Sequence, residues 1–212
     1  MSKEENVLRY YVLCNRLKNV IRKGWLDWNV QKERLESVAE HVYGVQMLAI
    51  AMYSEFDYDI DISKVIMMLS VHELEEIYIG DLTLFDIDKD KKLKIGHEAV
   101  EKVLDGLMDK DKIKKLILEF DERKTKEAQF AYFCDKFEAD LQSKIYSEEN
   151  RVDYNKQDNN NSMNDKAVLD LIEKGLSFGQ MWLKFSQERY NYDKNFMKVS
   201  QYAYNNNIKE DE

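Results

Sequence analysis

Apolar residues along most of the chain recur at steps of three and four positions, the spacing that places side chains on one face of an α-helix. One such stripe covers residues 7–21, and a second begins at Val38, directly after a Ser-x-x-Glu motif at Ser37 that is typical of a helix N-terminus. A third stripe follows Ser63 and stops before Gly80, a residue suited to end a helix with a positive φ angle. The pattern therefore predicts a succession of amphipathic helices.

The rest of the chain keeps the helical period, with polar segments between the stripes. Further helices are predicted at residues 93–108, 112–121 and 125–146, and from Val168 and Phe196 onward. Three segments are predicted as loops: residues 22–30 with two packed tryptophans, the charge-rich residues 86–94, and the Asn-rich residues 147–165. The chain has only 7 glycines and 0 prolines, too few turn residues for a sheet protein. We therefore predict an all-α fold.

The length of 212 residues allows one large domain or two small ones. We predict a core over residues 1–150 and, over residues 151–212, a polar loop followed by helices that pack on the same domain. About two helices follow the loop, and two helices are too few to form an independent hydrophobic core. The expectation is one multi-helix bundle with extra C-terminal helices.

The net charge and the hydropathy of the chain indicate which binding partners are not expected. The chain has 32 Lys and Arg against 41 Asp and Glu, a formal charge of -9 that repels a phosphate backbone, so duplex nucleic acid is not expected as a partner. The longest uncharged stretch outside the Asn-rich region, residues 41–54, is too short and too polar to cross a bilayer of about 30 Å. We expect no signal sequence, because MSKEENVLRY has no apolar core or small-residue cleavage site, and we expect Cys14 and Cys134 to be buried thiols rather than a disulfide or a metal site. We expect a cytoplasmic protein without membrane contact.

Four polar side chains interrupt the apolar stripes of three predicted helices. They are His41, the neighbours His72 and Glu73, and Asp135. An unpaired buried carboxylate costs several kcal/mol, so these groups need partners. Taken singly, each histidine is better explained as a satisfied core histidine and each carboxylate as an ion-pair partner. Together they form a ligand set for a divalent ion, and the mixture of nitrogen and oxygen favours Mn, Fe, Co or Ni, with catalytic Zn left open.

Four segments of the chain resemble one known family in order and in spacing. They are LKNVIRKGW at Leu17–Trp25, ESVAEH at Glu36–His41, VHELEEIYIGD at Val71–Asp81 and AQFAYFCDKFEADLQ at Ala128–Gln142. The chain resembles the HD-domain metal-dependent phosphohydrolases, in particular the branch of bacterial 5′-deoxynucleotidases and their eukaryotic relatives. The resemblance covers about residues 13–150. It implies a bundle of helices around a single metal site.

The resemblance also implies a role for each matching residue. The metal ligands are His41, His72, Glu73 and Asp135. Glu76 corresponds to the carboxylate that orients or activates the attacking water, and Asp81 to a residue that contacts the sugar hydroxyl of the substrate. Arg22 corresponds to the arginine that grips the phosphate, with Lys23 as the alternative if the alignment shifts by one residue. The implied reaction is hydrolysis of the 5′-phosphomonoester of small (deoxy)nucleoside monophosphates.

The implied cofactor is one divalent ion, with Mn, Co, Fe, Ni, Zn and Mg as candidates, and the implied assembly is a homodimer. Two positions depart from the family pattern: Glu73 stands where the family has Asp, and Leu35 where it usually has proline. Two alternatives stay open. The chain could be a hydrolase of another nucleotide phosphoester, or a non-catalytic helical binding module with a degenerate His-Glu metal site. The remaining ligand positions, with Arg22, Glu76 and Asp81, all match the family and argue against a degenerate site.

Overall fold

A computed structural model describes residues 2–83 and 85–209, and these residues form α-helices and short 3-10 turns without any β-strand. The all-α prediction is confirmed. The α-helices in this part of the chain are α1 Lys3–Cys14, α2 Lys23–Asp27, α3 Val38–Glu55, α4 Ile62–Val71, α5 Glu76–Ile79, α6 Lys89–Leu104, α7 Lys110–Glu122, α8 Lys126–Glu148, α9 Lys166–Glu173, α10 Phe178–Arg189 and α11 Lys194–Asn205. None of them is long and apolar enough to cross a membrane.

The first predicted helix is shorter than its apolar stripe. α1 begins after Ser2, which caps it, and a 3-10 turn over Asn15–Asn19 follows it. A 3-10 turn brings side chains three positions apart onto one side, so the apolar spacing continues although the α-helix has ended. Residues 22–30, predicted as a loop, contain the five-residue helix α2.

A short antiparallel pairing fixes the entry to α3. The backbone N–H of Arg22 donates to the carbonyl of Glu36 at 3.0 Å, next to an isolated bridge between Ile21 and Ser37. Ser37 then begins α3 through the capping box that the sequence predicts. The pairing holds Arg22 beside the first turn of α3, which also carries His41.

The third predicted helix is interrupted. Residues 72–75 form a turn between α4 and α5, in which the backbone N–H of Glu76 donates to the carbonyl of Glu73 at 3.2 Å. This three-residue spacing is tighter than that of an α-helix, so the side chains after the break project in other directions than a continuous helix would give them. Gly80 ends α5 with a φ of 71°, the positive angle that its position predicts.

Two helices begin earlier than predicted because a better N-cap lies upstream. Asp61 rather than Ser63 caps α4, where it accepts from the backbone N–H of Lys64 at 3.1 Å. Asp88 caps α6 by accepting from two backbone N–H groups, and the helix therefore begins at Lys89. The prediction of a solvated loop is wrong for residues 89–94.

The chain divides into two compact units. The first contains the residues up to Lys23 and Glu36–Tyr132, and the second contains Gly24–Leu35 and the residues from Phe133 onward. The first unit has an aliphatic core of Leu13, Leu17, Val38, Val71, Leu74, Ile77, Val100, Val103, Leu104 and Ile117. The prediction of a core over residues 1–150, with a polar loop and C-terminal helices over residues 151–212 packed on the same domain, stays a prediction.

Aromatic side chains dominate the core of the second unit. Trp28 is only 1% exposed. The centroid of its ring lies 5.1 to 6.1 Å from the ring centroids of Tyr154, Phe178 and Trp182. Trp25 packs edge-on against Tyr146, with ring centroids 5.2 Å apart. Both tryptophans are therefore packing residues within this unit.

The second unit also buries a carboxylate. Asp140 on α8 accepts hydrogen bonds from the hydroxyl groups of Ser186 at 2.9 Å and Tyr192 at 3.3 Å. Burial raises the pKa of Asp140 well above its ordinary value, against these two hydrogen bonds, which lower it. The native state therefore holds the proton of Asp140 more tightly than the unfolded state does.

We expect Asp140→Asn to raise the melting temperature at neutral pH. As pH rises from about 3.9 through the higher native pKa, the native state binds more protons than the unfolded state, so the stability of the wild type falls. Asn keeps the shape and removes this titration. The gain measured by thermal unfolding should be largest near pH 8 and shrink towards pH 4, while the exposed Asp158→Asn should show no such trend. A gain independent of pH would contradict the interpretation.

Candidate metal centre

Three of the four predicted metal ligands lie together in the first compact unit. One ligand atom from each of His41, His72 and Glu73 lies within 4.8 Å of the others. His41 comes from the first turn of α3, and His72 and Glu73 come from the turn after α4. His41 and His72 are buried, and Glu73 is partly exposed. The fourth predicted ligand, Asp135, is a buried residue of α8 in the second unit.

The longer side chain of Glu73 reaches the cluster. Its Oε1 atom lies 3.5 Å from Nε2 of His72 and 3.9 Å from Nε2 of His41. Two ligands that each lie about 2.1 Å from a common ion are at most about 4.2 Å apart, so these two separations already fit shared coordination. The carboxylate of Glu73 thus reaches both histidines, and the spacing fits a divalent ion.

A hydrogen bond sets which nitrogen of His72 is available. The Nδ1 atom lies 2.7 Å from the carbonyl oxygen of Leu69. A carbonyl only accepts, so Nδ1 carries the proton of the neutral ring and Nε2 keeps its lone pair on the side of Glu73. Metal-binding histidines are commonly oriented in this way, and the donor set therefore fits a metal ion chemically as well as by distance.

Further carboxylates surround Glu73. Burial raises the pKa of Glu76 well above its ordinary value, and the negative charges of Glu73 and Asp81 raise it further. The side chain of Glu75 is half-buried against Gly96, and burial and the charge of Glu73 raise its pKa to about 8. This concentration of negative charge favours a divalent cation.

Arg22 supplies one positive charge to the same region. Its guanidinium lies 3.8 Å from Oε1 of Glu73 and 3.8 Å from Oδ2 of Asp81. Burial alone would lower the pKa of Arg22, but Asp81, Glu73 and Glu76 outweigh that effect and raise it. The guanidinium is therefore charged and lies next to a predicted metal ligand.

Asp81 fixes the position of the Arg22–Lys23 backbone. Its Oδ2 atom accepts from the backbone N–H of Lys23 at 2.7 Å. The side chain of Lys23 pairs instead with Asp86, with Nζ 3.1 Å from Oδ1. Of the two basic residues that the sequence offers for phosphate binding, Arg22 is therefore the one seen in contact with Glu73.

One basic side chain in this region was not predicted from the sequence. Lys92 on α6 has its Nζ atom 3.5 Å from Oε1 of Glu76 and 2.8 Å from the carbonyl oxygen of Leu82. The signal that could have located it is Asp88, because recognising that cap extends α6 over Lys92. His97, which matched no motif, hydrogen-bonds to Asp121 at 2.8 Å and is partly exposed.

The chain matches one known protein family. The family model of the HD domain matches residues 14–173. The chain belongs to the HD-domain family. The 5′-deoxynucleotidase HDDC2 of Dictyostelium discoideum is 33% identical over 68% of this chain and 79% of its own length. The 5′-deoxynucleotidase hdd1 of Schizosaccharomyces pombe is 28% identical over 65% of this chain and 70% of its own.

Solved structures share the HD-domain fold. The PH0347 protein of Pyrococcus horikoshii OT3 aligns with a TM-score of 0.69 at 22% identity and covers 93% of this chain and 98% of its own. The predicted metal-dependent phosphohydrolase of Magnetospirillum magnetotacticum MS-1 aligns with a TM-score of 0.67 at 19% identity and covers 97% and 95%. At these identities the likeness establishes the fold of this HD domain.

We expect Glu73→Gln to weaken divalent metal binding at least about 100-fold, because an amide oxygen replaces a charged ligand of nearly the same shape. Isothermal titration of the metal-free protein with Mn²⁺ measures the effect. The exposed Glu98→Gln on α6 is the matched control and should bind as the wild type does. Equal affinity in Glu73→Gln and the wild type would remove Glu73 from the ligand set.

Proposed function

We propose that this HD-domain protein hydrolyses the 5′-phosphomonoester of deoxynucleoside monophosphates with the help of one divalent ion. The proposed ligands of that ion are His41, His72, Glu73 and Asp135. The observation that carries the proposal is the meeting of His41, His72 and Glu73 with the charged Arg22, whose guanidinium is 3.8 Å from Glu73. A metal ion and an arginine side by side are the two groups that phosphoryl transfer requires for charge stabilisation.

When bound, the ion supplies Lewis acidity, which lowers the pKa of a coordinated water towards about 7 and polarises a phosphoryl oxygen. Glu76 orients the attacking water by accepting its hydrogen bond. One oxygen of Glu76 is suited to this, because Oε2 is buried and accepts no hydrogen bond from the described residues. The buried position also strengthens any hydrogen bond that this oxygen makes.

Arg22 binds the phosphate and balances the charge on its equatorial oxygens in the transition state. Water attacks phosphorus in line with the bond to O5′, that bond breaks, and the leaving oxygen takes a proton. The products are a nucleoside and inorganic phosphate. Arg22 does this while Asp81 and Glu73 hold its guanidinium in place.

Asp81 contacts the sugar in this proposal. Its Oδ2 atom is engaged by the backbone N–H of Lys23, whereas Oδ1 accepts no hydrogen bond from the described part of the chain. A carboxylate with one oxygen fixed and the other available is a rigid acceptor for a sugar hydroxyl. The names of the HDDC2 and hdd1 relatives support a 5′-deoxynucleotide as the substrate.

We also propose a class of substrate, a set of candidate metals, an oligomeric state and a cellular location for this enzyme. The substrate is a small nucleotide rather than duplex nucleic acid, which the formal charge of -9 disfavours. The metal is one of Mn, Co, Fe, Ni, Zn and Mg. A homodimer and a cytoplasmic location complete the proposal, and light scattering at several protein concentrations tests the dimer.

Asp135→Ala should abolish phosphate release, because the ion loses one of two charged ligands. Metal-free protein is resupplied in turn with each candidate metal and assayed on a panel of 5′-ribo- and deoxyribonucleoside monophosphates. The exposed Asp158→Ala is the control and should retain wild-type turnover. Full activity in Asp135→Ala would contradict the proposal, whereas metal binding without any turnover would favour a non-catalytic binding module.

Arg22→Met should lower kcat/KM by about 10²–10³-fold and leave measurable turnover, since a transition-state donor is lost while the metal ligands remain. Arg22→Lys should recover only part of this loss, because a lysine lacks the planar pair of donors. The exposed Arg16→Met serves as the control for loss of a nearby arginine. Wild-type kcat/KM in Arg22→Met would show that Arg22 does not contact the phosphate.

A further inference from the structure

Lys92 differs from its neighbours on α6. Lys91 and Lys94 are exposed on the same helix, whereas the side chain of Lys92 is 29% exposed and reaches towards the carboxylate of Glu76. Its ammonium group makes its shorter contact with the carbonyl oxygen of Leu82, at 2.8 Å. A solvated lysine does not hold such a position, because ordering its four-carbon chain costs conformational entropy.

Lys92 also faces the buried carboxylate of Glu76, whose Oε1 atom lies 3.5 Å from its Nζ. Glu76 is 1% exposed, and Lys92 is the cation within salt-bridge distance of it among the described residues. Removing one partner of a buried charge pair leaves the other charge uncompensated. Lys92 thus determines both the charge balance and the orientation of the Glu76 carboxylate.

The second contact connects Lys92 to the turn that carries Asp81. Gly80 ends α5 with positive φ, Asp81 follows, and the carbonyl of the next residue, Leu82, accepts from Lys92. On the other side of this turn, Asp81 accepts from the backbone N–H of Lys23. One ammonium group therefore links the carboxylate of Glu76 to the backbone that places Asp81.

We propose that Lys92 is a positioning residue, which holds Glu76 and the Gly80–Leu82 turn in the arrangement that hydrolysis needs. This inference rests on the proposed function, because it assigns Lys92 an effect on that same reaction. Lys92 acts through Glu76 and does not bind the phosphate itself. The raised pKa of Lys92, which Glu73 and Glu76 produce against the lowering effect of burial, agrees with a permanently charged ammonium group.

Steady-state kinetics of Lys92→Met, Lys92→Arg and the control Lys94→Met test the proposal. We expect Lys92→Met to lower kcat about 10- to 100-fold, part of the contribution of general acid–base groups, with KM within about 3-fold of the wild type. Lys92→Arg should restore most of kcat, since a guanidinium keeps the charge. Lys94→Met, at an exposed position, should match the wild type.

The double variant Lys92→Met/Glu76→Gln separates a positioning role from a structural one. If Lys92 acts through Glu76, its removal has little further effect on kcat once Glu76 is changed, and inhibition by inorganic phosphate is unaffected. A raised KM and weaker phosphate inhibition in Lys92→Met would overturn the proposal in favour of direct phosphate binding. Unchanged kcat in Lys92→Met would overturn it while the proposed function stands, and a wild type without turnover would reject both.

Discussion

The accumulation of negative charge around Glu73 is the constraint on which the rest of the site depends. Glu73, Glu76 and Asp81 come close together at a place that is largely removed from water, and Arg22 and Lys92 provide the nearby positive charges. Burial raises the pKa of Glu76, and repulsion by the carboxylates of Glu73 and Asp81 raises it further. A divalent ion beside His41 and His72 relieves that repulsion, and it is the simplest reason for a fold to bury these side chains together.

Local backbone features, more than helix packing, determine where the functional groups lie. The pairing of Ile21 with Ser37 brings Arg22 to the start of α3. In the tight turn after α4, the side chain of Glu73 projects in a different direction from the one that a continuous helix would give it. Gly80 then allows the chain to turn before Asp81. Each of these features is a departure from regular α-helix. The regular helices supply the rigid frame and carry His41 and Glu76, and the irregular residues between them include Arg22, His72, Glu73 and Asp81.

The helical period was enough to predict the all-α fold, and the polar intrusions were enough to predict that His41, His72 and Glu73 lie together. The break after α4 was not predictable, because its residues keep an apolar spacing that a continuous helix also satisfies. Lys92 was missed because its charged surroundings are typical of a solvated loop, and only the cap at Asp88 makes the segment helical. Contacts between charges distant in sequence, such as Lys92 with Glu76, leave no periodic signal.

We infer that the buried charges around Glu73 hold one divalent ion. Diffraction from crystals of the protein grown with Mn²⁺, recorded at the manganese absorption edge, locates such an ion. We expect a single anomalous peak about 2.0–2.3 Å from the nearest atoms of His41, His72, Glu73 and Asp135. A map without a peak at these four residues, or with the ion bound at other residues, would contradict it.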